Sequence, residues 1–464
     1  MKSLRYLFVP VLAVCSTLGV MAQTAADSVY VFRDDQADAG YFLPAPPEVG
    51  SMEYVDDLLQ WQWGKTQRPT PRGTQASIES MWKPEAMRIV MAQALGLDTI
   101  SDELTPALSR LLVKSYNTGN LSTWAAKRKY MRIRPFMQMG EDTWALFDDD
   151  FLRTNGSYPS GHTSFGWATA LAFAEMWPEL QDTILRRGFE FGENRIITGA
   201  HYQSDVNAGY LCAAASIAHA HALPYLAADI VAARAEYAAI KGLPVDYNPA
   251  AAATFPRGER ILNQPVDTAS YRYLGDLMRY WKAKTLRDTP RGEQAVSDVD
   301  KTLPYLSRIF GEALGVPLSA ETTPAVCQLL ALVKQHSAEA VVALKLTNFR
   351  KRPFVQLGEP TSVPSQETGA RGTSSFASGH ACLGWSIALV LTEMAPDRQN
   401  EVLRCGFDYG ESRLITGYHW ATDIEAARLL ACAVVARLHS DPAFLTLMQQ
   451  ARTEYRNAAL HFAR

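Results

Sequence analysis

"GSYPSGHTSFGW", Gly156 to Trp167, returns as "SSFASGHACLGW", Ser374 to Trp385, at a lag of 218 (374 less 156). In both copies a Gly/Ser-rich stop is followed at once by Ser-Gly-His and then by an apolar run with helical spacing, "TSFGWATALAFAEMW" in the first. Small residues at the mouth of a helix leave backbone N–H groups facing outward, and the helix adds partial positive charge there. Ser and Gly are also ordinary helix caps, so one copy alone would carry no function. The repeat is what decides the reading.

The repeat extends outward from this motif. "AAKRKYMRIRPFMQMGE" from Ala125 aligns with "ALKLTNFRKRPFVQLGE" from Ala343, and "FGENRIITGAHYQSD" from Phe191 aligns with "YGESRLITGYHWATD" from Tyr409, at the same lag. Upstream, "KTQRPTPRGTQA" and "KTLRDTPRGEQA" keep a lag of 219 (284 less 65). A period this long marks a duplicated domain, not a solenoid. Apolar spacings of three and four dominate each copy and alternating β patterns are scarce, so the expected fold is all-α, two tandem helical bundles. The boundaries read as a signal peptide over 1–22, a first domain over 23–245, a Pro- and Ala-rich linker over 246–259 and a second domain over 260–464.

The chain has 464 residues, 47% of them apolar, and a net charge of −3 with no basic tract. That composition fits globular domains and points to neither nucleic acid nor an anionic membrane surface as a partner. Lys2 and Arg5 precede an apolar run that ends in small residues at Ala22, the pattern of an export signal, and no later run reaches the roughly 18 apolar residues a membrane span needs. Periplasm or secretion is the expected location. Five cysteines follow the signal and are not equivalently placed in the two halves, so no shared disulfide framework is expected; an oxidising compartment would allow one bridge in the second half. No close Cys or His spacing suggests a metal site. His219 and His221 lie two apart on a helical segment and should point apart, and His336, His439 and His461 are left without a repeat partner in this reading.

Four of the nine histidines, by contrast, are paired by the repeat: His162 with His380, and His201 with His419. Around them recur Lys127/Lys345, Arg134/Arg352, Arg195/Arg413 and Asp205/Asp423. A transferring phosphoryl group spreads negative charge over its oxygens, and positioned cations and N–H donors are what stabilise it. Lys127, Arg134 and Arg195, with the N–H groups of Ser160 and Gly161, are suitable donors. His201 is a candidate nucleophile, with Asp205 expected on the same helical face to fix its tautomer. His162 is a candidate acid toward the leaving oxygen.

These three segments together resemble the three-part motif of the type-2 phosphatidic acid phosphatase superfamily, which includes vanadium haloperoxidases. "GYFLPAPP", "GSYPSGHT" and "GAHYQSDVNAGY" are similar, more narrowly, to bacterial class A non-specific acid phosphatases. The resemblance implies a metal-free phosphomonoesterase without cofactor, inhibited by vanadate, with His201 forming a phosphohistidine, Asp205 orienting it, and His162 acting as acid and then base. Lys127, Arg134, Ser160, Gly161 and Arg195 would bind phosphate. The second unit's matching set is His419, Asp423, His380, Lys345, Arg352, Ser378, Gly379 and Arg413. Small soluble phosphate monoesters are the implied substrates, and the two units are expected to pair within the chain. Alternatives are a vanadium haloperoxidase, a lipid-phosphate phosphatase, or a unit serving only for binding or dimerisation. Two departures stand out: Asn194 where the motif has Ser, as at Ser412, and Ala377 where Pro159 stands in the first copy. The loops Asp142–Asn155 and Pro360–Thr373 also differ in chemistry, which predicts different leaving-group preferences.

Overall fold

The computed structural model describes residues 28–146, 149–244 and 247–462, so the expected signal peptide over 1–22 lies outside the described residues. The first unit uses α1 (Met52–Gln67), α2 (Pro106–Leu121), α3 (Trp124–Tyr130), α4 (Gly161–Met176), α5 (Gln181–Ile197), α6 (Gln203–His221) and α7 (Pro224–Ile240). The second uses α8 (Tyr273–Lys284), α9 (Pro324–Thr347), α10 (Gly379–Met394), α11 (Gln399–Ile415), α12 (Ala421–Leu438) and α13 (Pro442–Phe462). No strand occurs among the described residues, and the expected all-α tandem architecture holds.

Each bundle is built around one helix. Every residue of α4 is buried, and α2, α5 and α6 enclose it; α10 is enclosed likewise by α9, α11 and α12. A helix apolar on all sides is stable only in such a position. The central helix and its successor pack backbone to backbone. A Cβ added to Gly188 of α5 would lie 2.3 Å from the Ala170 Cβ of α4, and one added to Gly406 would lie 2.5 Å from the Gly384 carbonyl oxygen. Proline sets several starts: Pro106 opens α2 and Pro324 opens α9, where the missing N–H costs nothing.

The units touch along homologous faces: α1 packs on α8, α6 on α10 and α12 on α4. The described part of the linker, 247–259, is no loose tether. It contains the short helix Pro249–Ala252, and another, Gly258–Ile261, crosses the expected boundary at 260. Gln181 donates to the Thr254 carbonyl (2.6 Å) and Arg437 to those of Ala250 and Ala253 (3.2 and 3.1 Å), so both units grip this segment. All five cysteines among the described residues are free, so the bridge admitted for the second half is absent. His439 does have a repeat partner, contrary to the sequence reading: it is His221, at the 218 lag (439 less 221), and the two rings stack 3.8 Å apart across the units.

Candidate active site

The mouth of α4 is held from below. Ser160 caps it, its Oγ accepting the Thr163 N–H at 3.3 Å, while the Ser160 N–H donates to the Asp205 carbonyl at 2.8 Å. Ser378 repeats both bonds, with the Ala381 N–H at 3.4 Å and the Asp423 carbonyl at 3.1 Å. The N–H of Ser160 is therefore committed, which corrects its expected role as an anion donor. Gly161 and His162, the first two residues of the helix, are the ones whose N–H groups lack an intrahelical acceptor. The substitution of Ala377 for proline leaves this arrangement intact.

Lys127, Arg134, His162, Arg195, His201 and Asp205 converge here, all buried. Arg134 donates from Nη1 to the Ala200 carbonyl (3.0 Å) and to His201 Nε2 (2.8 Å), and from Nε to the Asn155 carbonyl (3.0 Å). His201 Nδ1 lies 3.4 Å from Asp205 Oδ2 and 3.3 Å from Ser157 Oγ, which donates to the same carboxylate oxygen at 2.5 Å. These contacts assign the proton to Nδ1 and leave the Nε2 lone pair toward the pocket. His201 does not share a helix with Asp205, as the i, i+4 spacing suggested. It lies in the turn before α6, and Asp205 reaches back from the first turn, also accepting the Tyr202 N–H at 2.9 Å.

Unit two repeats the geometry with one change. Arg352 Nη1 meets the Tyr418 carbonyl and His419 Nε2, both at 3.1 Å, but His419 Nδ1 donates to the Ser375 carbonyl at 2.8 Å and stands 3.7 Å from Asp423 Oδ2. Lys345 donates to the Ser374 carbonyl, as Lys127 does to that of Gly156.

Sequence reasoning missed a second tier. Arg132 grips Asp205 Oδ1 at 2.6 Å and Asp57 Oδ2 at 2.7 Å; Arg350 does the same with Asp423 at 2.7 Å and Asp276 at 2.5 Å. Their signal was present in "RIRP" and "RKRP", and in "YVDDLL" and "YLGDLM". The arginines of "RPTPRG" and "RDTPRG" act as braces. Arg72 bonds Asn194 and Arg291 bonds Ser412 (3.0 Å), while Arg68 and Arg287 donate to the Ile197 and Ile415 carbonyls (3.0 and 2.8 Å). Asn194 and Ser412 thus play one role: Asn194 also donates to Glu79 and Ser412 to Asp298.

Electrostatically each pocket is a crowded set of cations. Burial and then Arg134 push Arg195 down to about 9; burial and then Arg352 push Arg413 down to about 10 and Lys345 to about 7. Nε and Nη1 of both Arg195 and Arg413 are buried without partners. Burial, followed by Arg195, lowers His162 well below its usual value, and burial, followed by Arg134, does the same to His201. Asp205 is the exception: burial would raise it, but Arg132 and hydrogen bonds from His201 and Ser157 hold it well below the usual carboxylate range. Both His162 and His380 anchor Nε2 on a backbone carbonyl at 3.0 Å, of Ser80 and Val299 respectively, and His162 Nδ1 has no partner. Unpaired buried N–H donors, excess positive charge and neutral imidazoles are a combination that an oxyanion would complement.

Among the described residues one His/Glu group brings possible metal donors within 4.8 Å of one another: Glu175, His221 and His439. It lies at the far end of α4, about 20 Å along the helix from His162, and belongs to the contact between units. No single helix among the described residues is long and apolar enough to cross a membrane.

The sequence profile of the PAP2 superfamily matches residues 109–228 and 325–446, so the chain belongs to that superfamily and carries its domain twice. It is 40% identical over 220 residues to a non-specific acid phosphatase of Providencia stuartii, covering 47% of this chain and 88% of that one. A non-specific acid phosphatase of Salmonella typhimurium is 34% identical over 189 residues (40% and 75% covered), and an acid phosphatase of Zymomonas mobilis 29% over 197 residues (42% and 75%).

Proposed function

We propose that the chain is an exported acid phosphatase with two catalytic pockets, each hydrolysing small soluble phosphate monoesters through a phosphohistidine and without a metal. The observation that carries this reading is the pair of buried guanidiniums, Arg195 and Arg413, each with two N–H donors unpartnered beside a histidine whose Nε2 lone pair is free of its own proton.

In the first unit His201 Nε2 attacks phosphorus. A P–N bond forms, the ester P–O bond breaks, and its electron pair stays on the leaving oxygen, which takes a proton from His162 Nδ1. Water then attacks the phosphohistidine, His162 accepts the water's proton, and the P–N bond breaks to release phosphate. Arg134 first solvates the Nε2 lone pair and then turns its N–H to the phosphoryl oxygens; Lys127, Arg195 and the Gly161 N–H complete the cradle. Asp205 and Ser157 hold the Nδ1 proton and stabilise the imidazolium created by attack. In the second unit His419, His380, Asp423, Arg352, Lys345, Arg413 and Gly379 have the same parts, with the Ser375 carbonyl accepting the hydrogen bond from Nδ1–H. Because His162 is neutral in the free pocket, its proton must arrive with the substrate, whose phosphate monoanion predominates below pH of about 6. Pairing of the two units within one chain would stand in for a homodimer.

The test is hydrolysis of a chromogenic monoester at pH 5 to 7 with chelator present, for the intact chain, His201→Ala, His419→Ala and the double variant. Partial loss in each single variant and complete loss in the double is the expected result, with acid-labile phosphate trapped on His201 or His419 after rapid quench. Full activity in the double variant would overturn the reading.

A further inference from the structure

The two pockets share their catalytic groups but not their walls. Two residues after the carbonyl that anchors His162 comes Trp82; two after the one that anchors His380 comes Lys301. The Trp82 ring stands 4.9 Å from the His162 ring, 5.4 Å from Phe165 and 5.7 Å from Phe151, and Tyr116 lies 4.0 Å from Phe165. A Cβ on Gly161 would come within 3.1 Å of this indole. The aromatic wall thus lies directly over the glycine that opens the phosphate helix.

At the 218 lag Tyr116, Phe151 and Phe165 become Lys334, Gly369 and Leu383. Every aromatic residue of the wall has gone, and two of the four positions are lysines. The space has opened accordingly: a Cβ on Gly379 would find only Val341, at 3.8 Å, and one on Gly369 nothing within 4 Å. Lys334, Val341 and Lys345 fall on one face of α9, so the Val341 that borders Gly379 places Lys334 on the pocket's side of that helix. Lys301 is exposed and Lys334 half-buried, and among the described residues neither ammonium is paired with a carboxylate. Lys301 follows by two residues the Val299 carbonyl that anchors His380 Nε2 at 3.0 Å, which keeps it at the mouth of the pocket, and partial burial, then the Arg413 and Lys334 charges, lower its ammonium.

We infer that Lys301 and Lys334 form a second anion subsite at the mouth of the second pocket, selecting substrates that carry another phosphate or comparable anionic group beyond the scissile one, while the Trp82 wall suits the first pocket to planar or apolar leaving groups. This rests on the reading of both pockets as phosphate sites. Two partly solvated lysines acting on one added anionic group should give about a tenfold gain in affinity.

The test is calorimetric titration of the full chain with inorganic phosphate and with methylenediphosphonate, a non-hydrolysable two-headed anion. Phosphate should fill two sites per chain, one of them lost in Arg413→Ala, which checks the second pocket itself. Methylenediphosphonate should bind one site about tenfold tighter than phosphate does, and the ratio of the two affinities at that site should fall to about one in Lys301→Ala/Lys334→Ala. Both lysines lie outside the core, and Trp82→Lys supplies the reciprocal gain in the first pocket. Equal affinities for the two anions in the intact chain, or a tight diphosphonate site that survives loss of both lysines, would overturn the subsite while leaving the phosphate pockets standing. Absence of a second phosphate site would remove the pocket and the subsite together.

Discussion

Arg132 illustrates how much of this site's chemistry sits behind the groups that touch substrate. Its two nitrogens hold Asp205 and Asp57, and Asp205 in turn fixes the His201 proton. Removing the guanidinium leaves Asp205 buried with only neutral donors, so the stabilisation it lends to an imidazolium weakens while the phosphate cradle stays. Measured in a His419→Ala chain, Arg132→Gln should lower kcat about 10- to 100-fold with little change in KM, and Arg132→Lys should restore part of it. Arg195→Gln should act differently, raising KM and lowering kcat together, because in the proposed mechanism its unpartnered N–H donors hold the phosphate. Proton supply gives a second check at this scale. His162 is pushed well below its usual value by burial and Arg195, so the acid form in the free pocket is scarce at neutral pH. As pH rises above about 6 the substrate phosphate loses the proton it must bring to His162, and kcat/KM should fall steadily. A profile flat into the alkaline range would contradict the role given to His162. The sequence exposed Lys127, Arg134, His162, Arg195, His201 and Asp205 because the chemistry repeats in them. It hid the Ser160 N–H bond, since a backbone partner leaves no mark in residue type, and it made His201 look helical, since i, i+4 spacing does not reveal where a helix begins.

At the scale of elements, the central helix and its successor are the units that fix the pocket. Gly166 with Gly188, and Gly384 with Gly406, allow α4 against α5 and α10 against α11 to approach closely enough for His162 and Arg195, or His380 and Arg413, to share one site. Gly188→Ala would place a methyl 2.3 Å from the Ala170 Cβ, a contact that only displacement of a helix relieves. It should cost about 1–3 kcal/mol in denaturant unfolding, whereas Gly369→Ala, with nothing within 4 Å, should change stability by no more than about 0.5 kcal/mol. The repeat at 218 residues made this architecture readable, because helix starts such as Gly161 and Gly379 recur at that lag. What it could not convey is where the copies diverge in form: the first unit ends α2 at Leu121 and begins α3 at Trp124, while the second runs unbroken from Pro324 to Thr347. The Ser122 side chain donates to the Gly119 carbonyl at 2.7 Å at that break, a competing local bond that the second unit lacks, having Ala340 there.

For the whole molecule, the contact between units contains a charge cluster that repeats with the fold. His221 Nε2 meets Glu175 at 2.8 Å and His439 Nε2 meets Glu393 at 2.7 Å, with the two imidazoles stacked between the carboxylates. Arg234 holds the Glu175 carbonyl and Arg452 holds both the carbonyl and a carboxylate oxygen of Glu393. His439 Nδ1 donates to the Val435 carbonyl at 2.9 Å, so this ring serves as a two-proton donor when charged. Burial opposes that charge, but Glu393 and Glu175 outweigh it and raise His439 to about 9. Glu393 shows the complementary effect: burial would raise it, yet His439 holds it below its usual value. The sign of the linkage follows. A histidine raised in the folded state contributes stability that is fully present below its unfolded pKa of about 6.5 and is lost as pH climbs through about 9. Glu393 contributes in the opposite direction, its stabilisation being present above the unfolded carboxylate pKa and lost in acid. Between those limits the His439–Glu393 pair is charged within the second unit and Glu175 of the first acts on it across the contact, worth on the order of a few kcal/mol at most. Thermal melting of the native chain should therefore show a midpoint that declines from about pH 7 to pH 10, and His439→Gln should start lower and decline less. If the native midpoint stays level across that range, or the variant follows the same slope, the stacked histidines are packing rather than a charged contact, and the union of the units rests on its other contacts, among them α1 on α8, α6 on α10, α12 on α4 and the shared linker segment.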